Sequence, residues 1–233
     1  MRINLKITLG IIITLVIFLI STTVIREFFK GYTFTSMNTI LTLSSELILS
    51  IIAIKFFKTD FNIKLPKFKS ALKVFFTGFG VAIITMMIMN IIEMLITGHN
   101  LGEGHPIMNS MTIVQVFFLV FIGASIAEEF LFRGFLLNML SSLKTIKLKI
   151  FKKEIGLHII ISGLMFGLAH LGLLMSGSSF NFVLKIIIFA TVLGWFAGYF
   201  QEKYKNTSYA ILTHMGANLM GVLGMVLMQY IPL

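Results

Sequence analysis

Seven apolar stretches, each long enough to cross a bilayer, constrain this chain more than any other feature of its sequence. A spanning helix needs about 20 predominantly apolar residues, because the hydrocarbon core is about 30 Å thick and each residue rises about 1.5 Å. The stretches predict an all-α fold, a polytopic transmembrane helical bundle of about seven helices. They cover Leu5–Ile25, Met37–Phe57, Ala71–Ile96, Met111–Asn138, Ile155–Met175, Phe180–Phe200 and Tyr209–Ile231.

The overall composition agrees with a membrane protein. Hydrophobic residues make up 57% of the 233 residues, charged residues 12%, and the mean hydropathy is +0.97. A water-soluble core could not bury that much apolar surface. The chain has no cysteine, which excludes a disulfide framework, a thiolate nucleophile and a zinc site built on sulfur.

The net charge of +10 is explained by membrane orientation rather than by nucleic-acid binding. The lysines lie in the connections between apolar stretches, mainly in Lys58–Lys73 and Lys144–Lys153. With the N-terminus in the cytoplasm, fifteen of the 19 Lys and Arg fall inside, and only Arg26, Lys30 and Lys185 fall outside. We therefore expect a multi-pass protein of the cell membrane with a cytoplasmic N-terminus and no nucleic-acid partner.

Several ionisable side chains lie inside the predicted helices, where hydrocarbon makes them costly unless they face a protein interior or a wet cavity. We expect Glu46, among serines, to satisfy a hydrogen bond between helices. We expect Glu93 to reach water near the outer end of its helix. The others fall in the second half of the chain and are Glu128, Glu129, Arg133, His170 and His214, the last with Asn218 on the same helix.

The fourth helix carries two adjacent carboxylates, Glu128 and Glu129, followed by Arg133. At about 100° per residue, Glu129 and Arg133 share a face while Glu128 points elsewhere. The guanidinium can then neutralise one carboxylate and leave the other available for chemistry. An ion pair that only stabilised the helix would need a single carboxylate.

The fifth and seventh helices each carry a histidine next to small residues, which allow close approach of another helix. Phe166 precedes His170 by four residues, and His214 precedes Asn218 by four, so each pair shares a helix face. Polar groups that must avoid lipid are expected to converge on one cavity. Three helices in order therefore predict one polar site.

Such a cavity is suited to amide hydrolysis. A carboxylate with an imidazole can take a proton from attacking water and return it to the leaving amine. A second imidazole and an asparagine amide are donors suited to an oxyanion hole. A zinc site on His170, His214 and Glu128 is the competing use of the same atoms. We prefer the interpretation without a metal, because no His-Glu-x-x-His segment is present and zinc would leave Asn218 without a role.

Helix depth poses a problem for this site. Counted from Ile155, His170 would lie about 22 Å into the bilayer, and counted from Tyr209, His214 would lie only about 8 Å deep. An amphipathic segment on the membrane surface around Lys147–Lys153 would bring His170 closer to the surface.

These motifs resemble those of the CPBP family of intramembrane endopeptidases, which comprises CAAX-prenyl proteases and bacterial bacteriocin-processing or self-immunity proteins. The matching motifs are Glu-Glu-x-x-x-Arg from Glu128, Phe-x-x-x-His from Phe166, and His-x-x-x-Asn from His214, within Ser125–Met220. The resemblance implies a helical membrane protease, often of eight helices. It implies Glu128 and His170 as proton donor and acceptor, His214 and Asn218 as oxyanion donors, and Glu129 and Arg133 in support. It leaves open whether zinc takes part.

We thus expect a single integral membrane domain over residues 1–233, with N-terminal helices one to three in 1–110 and a catalytic core of helices four to seven in 111–233. The expected partners are the lipid bilayer and a membrane-associated peptide or protein substrate, and the source is expected to be bacterial. A non-catalytic self-immunity or scaffolding protein is the alternative function. A transporter is third, because neither internal repeats nor paired broken helices are found.

Overall fold

The structure is a computed structural model that describes residues 3–28, 35–98, 110–150 and 153–230. Seven helices in this part of the chain are long and apolar enough to cross a membrane, which confirms the predicted bundle. Their ends differ from the predicted ones by a few residues. The third helix begins at Phe68 instead of Ala71, and the sixth continues to Tyr204 instead of ending at Phe200. The predicted end of the seventh, Ile231, lies outside the described residues.

We number the helices α1 to α7 and the two strands β1 and β2 in chain order. Helix α1 continues from its main segment through the π-helical Ile20–Val24 to Ile25–Phe28, and α5 ends in the 3-10 segment His170–Ser176. The main bounds are α1 Ile3–Leu19, α2 Thr35–Phe56, α3 Phe68–Thr97, α4 from Ile113 to Met139, β1 Lys147–Ile150, β2 Lys153–Gly156, α5 Leu157–Ala169, α6 Phe180–Tyr204 and α7 Ser208–Tyr230.

Helix α4 is not a uniform α-helix. Two π-helical segments, Val116–Ala124 and Phe130–Leu136, flank one α-helical turn at Ser125–Glu129. Its start is fixed by a capping box, in which Thr112 and Gln115 exchange side-chain to backbone hydrogen bonds. π-Helical turns are rare and occur frequently at functional sites. The two adjacent glutamates lie in the turn between them.

The lysine-rich connection before α5 is a β-hairpin, so the predicted amphipathic surface segment is wrong. Strands β1 and β2 pair antiparallel, with Lys147 opposite Gly156 and Ile150 opposite Lys153. At this end of the bundle, Glu202 accepts hydrogen bonds from Lys205 (2.8 Å) and is ion-paired with Lys144. The bond to Glu202 raises the pKa of Lys205 above its usual value.

The core is built around the second half of α4. The residues from Leu131 to Leu137 are at most 1% exposed. Ile17 of α1 and Ala53 of α2 belong to the same buried cluster as residues of α4, α5, α6 and α7. The division into 1–110 and 111–233 stays a prediction, but side chains from both parts share one core.

Helices α3 and α7 touch backbone to backbone. A Cβ at Gly78 would collide with the main chain of Thr213, and a Cβ at Gly216 would collide with the main chain of Phe75. Small residues allow such close approach between membrane helices. This contact fixes the position of the stretch of α7 that carries His214.

Candidate active site

The His214 imidazole of α7 lies between the two adjacent carboxylates of α4. Its Nδ1 is 3.0 Å from Glu129 Oε1, and its Nε2 is 3.8 Å from Glu128 Oε2. An ionised carboxylate can only accept, so the Nδ1 proton is donated to Glu129. This bond leaves Nε2 of the same ring facing Glu128.

Glu129 is held from two sides. Its Oε2 lies 3.1 Å from Arg133 Nε, and both side chains are completely buried. The Arg133 guanidinium also lies over the Phe166 ring, 4.6 Å from its centroid. Because a buried charge is tolerated only when it is paired, Glu129, Arg133 and His214 form one mutually compensating group.

Glu128 differs from its neighbour in exposure and in partners. Its side chain is 20% exposed, whereas that of Glu129 is fully buried. His214 Nε2 is beyond hydrogen-bond distance from its Oε2, at 3.8 Å. Of the two carboxylates, Glu128 is the one that a water molecule or a peptide can reach.

Phe166 lies between the two imidazoles. Its ring centroid is 5.3 Å from that of His170 and 5.4 Å from that of His214, both in edge-to-face geometry. Its main-chain oxygen lies 3.0 Å from His170 Nδ1. A carbonyl only accepts, so Nδ1 carries the proton and Nε2 of a neutral His170 is an acceptor. Phe166 therefore links the two histidines despite the expected difference in depth. It contacts both rings, and His170 follows it by one helical turn.

Asn218 ties α7 to the first half of α4. Its Nδ2 donates to Val120 O and to Ser125 Oγ, both at 3.1 Å. Asn218 was predicted as an oxyanion donor, but its amide hydrogens already form hydrogen bonds within the protein. Its role in catalysis stays a prediction.

Three residues at the site were not assigned to it from the sequence. Ser125 is fully buried and accepts from Asn218. Gln201 of α6 donates to Arg133 O at 2.9 Å, from just beyond the predicted end of that helix. Glu46 of α2 interacts electrostatically with Glu128. Of these three residues, only Glu46 stands out in the sequence, because it is an acidic residue inside a spanning helix.

The Arg133 side chain has room in the core because α6 has a glycine, Gly194, beside it. A Cβ at Gly194 would lie 2.7 Å from Gly163 Cα of α5 and 2.8 Å from Arg133 Nη2. Real Cβ atoms do not approach so closely, so any side chain here would displace α5, the guanidinium or both. The ion pair with Glu129 thus depends on α6 as well as on α4.

The zinc set on His170, His214 and Glu128 stays a prediction. Within the described residues, no group of three or more His, Asp or Glu side chains is placed to hold a metal ion. The Nδ1 atoms of His214 and His170 are bonded to Glu129 and to a main-chain oxygen. On each ring, Nε2 is the nitrogen that would remain for a metal ion.

One sequence expectation outside the site is wrong: Glu93 does not reach water, because it is paired with Lys185. Lys185 Nζ of α6 is 2.9 Å from Glu93 Oε2 of α3, and both side chains are 7% exposed. Lys185 also donates to Asn90 Oδ1 at 3.3 Å. Oε1 of Glu46 makes no hydrogen bond within the described residues.

Residues 110–220 match the family model described as Type II CAAX prenyl endopeptidase Rce1-like. The matched segment contains every predicted site residue, from Glu128 to Asn218. The chain matches no curated protein and no solved structure. The ordered motifs, their convergence in a bundle of spanning helices and this match lead to one conclusion: the chain is a multi-pass membrane protein whose second half is similar to the CAAX-type intramembrane endopeptidases of the CPBP family.

Proposed function

We propose that this protein hydrolyses a peptide bond of a membrane-associated peptide or protein, with Glu128 as general base and general acid. The observation that carries the proposal is the unequal pair of adjacent glutamates. Glu129 is buried between Arg133 and His214, while Glu128 is partly exposed and lacks a close partner. One carboxylate thus organises the site and the other remains available for chemistry.

In the proposed reaction, Glu128 takes a proton from water as the water oxygen attacks the peptide carbonyl carbon. The carbonyl oxygen gains negative charge, which a doubly protonated His214 would stabilise through its Nε2 proton. When the C–N bond breaks, the proton on Glu128 passes to the leaving nitrogen. Glu129 holds His214 by Nδ1 throughout, so the ring presents Nε2 to the reacting centre.

His170 is the proposed second proton carrier. Its Nδ1 is fixed by the Phe166 main-chain oxygen, so only Nε2 can exchange a proton with water or with the leaving group. Asn218 would act as the second oxyanion donor only by exchanging one of its hydrogen bonds, to Val120 or to Ser125, for the substrate oxygen.

The test is cleavage of a quenched-fluorescent peptide library by purified protein in detergent. Glu128→Gln keeps the size of the side chain and removes the base, so cleavage should disappear. The matched control is Glu154→Gln, which changes an exposed acid on the hairpin and should leave the rate unchanged. Cleavage by the wild type that survives a strong chelator supports the proposal, whereas loss on chelation supports a metal.

We further propose that the lysine-rich end, with the hairpin, faces the cytoplasm of a bacterial cell membrane. The chain has no cysteine, so single cysteines can be labelled without background. Lys149→Cys should be protected from an impermeant thiol reagent in intact cells, and Ser110→Cys at the other end should react. The reverse pattern would invert the topology.

A further inference from the structure

Helix α2 contributes a third carboxyl group to the region of Glu128. Glu46 is 2% exposed, and its Oε1 has no hydrogen-bond partner in the described part of the chain. An ionised carboxylate in such a place would be an uncompensated buried charge, which is far more costly than a buried neutral carboxyl. A proton on Glu46 would remove this cost.

The position of Glu46 follows from the way in which α2 lies along α4. Leu43 Cδ1 is 3.1 Å from the place of a Cβ on Gly123, and Ile54 Cδ1 is 2.9 Å from that of Gly134. The two contacts are eleven residues apart on both helices, so the helices run side by side in the same direction. By this register Glu46 is level with Ile126, about 3 Å of helical rise from Glu128.

We infer that Glu46 is a positioning residue of the Glu128 site, the neutral member of a carboxyl pair whose other member is the ionised Glu128. The inference rests on the proposed function, because it assigns Glu46 a part in the same proton transfer. Two groups point to it: the Glu46 oxygen that is buried without a partner, and the Glu128 carboxylate with which it interacts electrostatically.

The pair needs a definite number of protons. In the resting site it holds one, on Glu46, while Glu128 is free to accept. When Glu128 takes the proton of the attacking water, the pair holds two and is neutral. When Glu128 passes its proton to the leaving nitrogen, the pair returns to one. A second negative charge on Glu46 would oppose ionisation of Glu128, so the neutral state keeps the base available.

A structural role for Glu46 makes a different prediction. A buried carboxyl without a partner costs stability, so Glu46→Met, which has a similar volume, should stabilise the bundle or leave it unchanged. If Glu46 only fills space, this variant should also cleave at the wild-type rate. We expect instead that kcat falls about tenfold with KM within about twofold of the wild type.

Glu46→Gln is the rescue variant, because its amide is neutral and can donate a hydrogen bond as a protonated carboxyl does. We expect it to recover most of the kcat that Glu46→Met loses. The matched control is Ser50→Ala, one turn along the same face of α2, where the hydroxyl is also buried without a partner. That variant should cleave like the wild type.

Infrared spectroscopy at neutral pH gives a readout that does not depend on catalysis. The wild type and Glu128→Gln should show the carbonyl band of a protonated carboxyl, and Glu46→Gln should lack it. The inference is overturned if this band survives in Glu46→Gln, or if Glu46→Met keeps the wild-type kcat. Failure of the proposed function looks different: Glu128→Gln would then cleave as the wild type does, whatever the variants of Glu46 do.

Discussion

Two buried ion pairs in the described part of the chain, one between helices and one within α4, differ in their balance of charge. Lys185 and Glu93 join α6 to α3 as one cation and one anion, completed by Asn90. At the other pair, Arg133 faces Glu129 while Glu128 lies alongside with no cation of its own. The first pair has no group left over for chemistry. The second has an additional carboxylate, which is typical of a functional site rather than of a purely structural ion pair.

The largest effect should come from breaking the pair at the site. Arg133→Met removes the guanidinium and leaves the buried Glu129 charge with only its hydrogen bond to His214, so it should destabilise the protein by about 3–5 kcal/mol and stop cleavage. Adding Glu129→Gln removes that charge and should recover much of the stability. Unfolding in detergent measures both. A single variant as stable as the wild type would mean that Glu129 is not ionised in the fold.

The balanced pair should respond in stability alone. Lys185→Met should cost about 2–3 kcal/mol, somewhat less than a completely buried pair, because both side chains are 7% exposed. Lys185→Met combined with Glu93→Gln should regain most of this loss. The double variant, tested in the peptide assay, should cleave within about twofold of the wild type. A double variant that is stable but inactive would mean that this pair is needed for cleavage and is not purely structural.

A smaller effect should follow from crowding the arginine. Gly194→Ala places a methyl group 2.7 Å from Gly163 Cα and 2.8 Å from Arg133 Nη2, so α5 must move or the guanidinium must shift from its position over Phe166. We expect a loss of about 1–3 kcal/mol in stability, with slower cleavage. Gly80→Ala is the control, since a Cβ there meets nothing within 4 Å. Equal behaviour of the two variants would show that Arg133 tolerates displacement.

The smallest effect should come from an ion pair in water. Lys147 and Glu154 on the hairpin lie 2.9 Å apart, but their side chains are 56% and 63% exposed. Lys147→Ala should change the free energy of unfolding by less than about 0.5 kcal/mol. A larger change, measured in the same unfolding assay, would mean that the hairpin is packed against something in the membrane.

The spans and the residues of the site could be predicted from the sequence because both depend on one local signal. Hydrocarbon excludes charge, so long apolar runs mark the helices, and the ionisable residues within them are few enough to name. Glu129 and Arg133 could also be paired from helical periodicity alone.

The other polar contacts could not be predicted, because they depend on how helices distant in sequence pack together. Nothing local assigns Lys185 to Glu93, which lies 92 residues earlier. The bonds of Asn218 to Val120 and Ser125 depend on where α7 meets a π-helical segment of α4. The hairpin was missed because the spacing of its lysines also fits a surface helix.

The backbone contact between α3 and α7 has a consequence for any attempt to exchange parts between relatives. Gly78 lies outside the segment that matches the family model, yet its missing side chain makes room for the chain that carries His214. A chimera that keeps residues 110–220 and takes its first three helices from elsewhere inherits the site residues but not their spacing. Such a graft works only if the donor also supplies a residue without a side chain at this crossing.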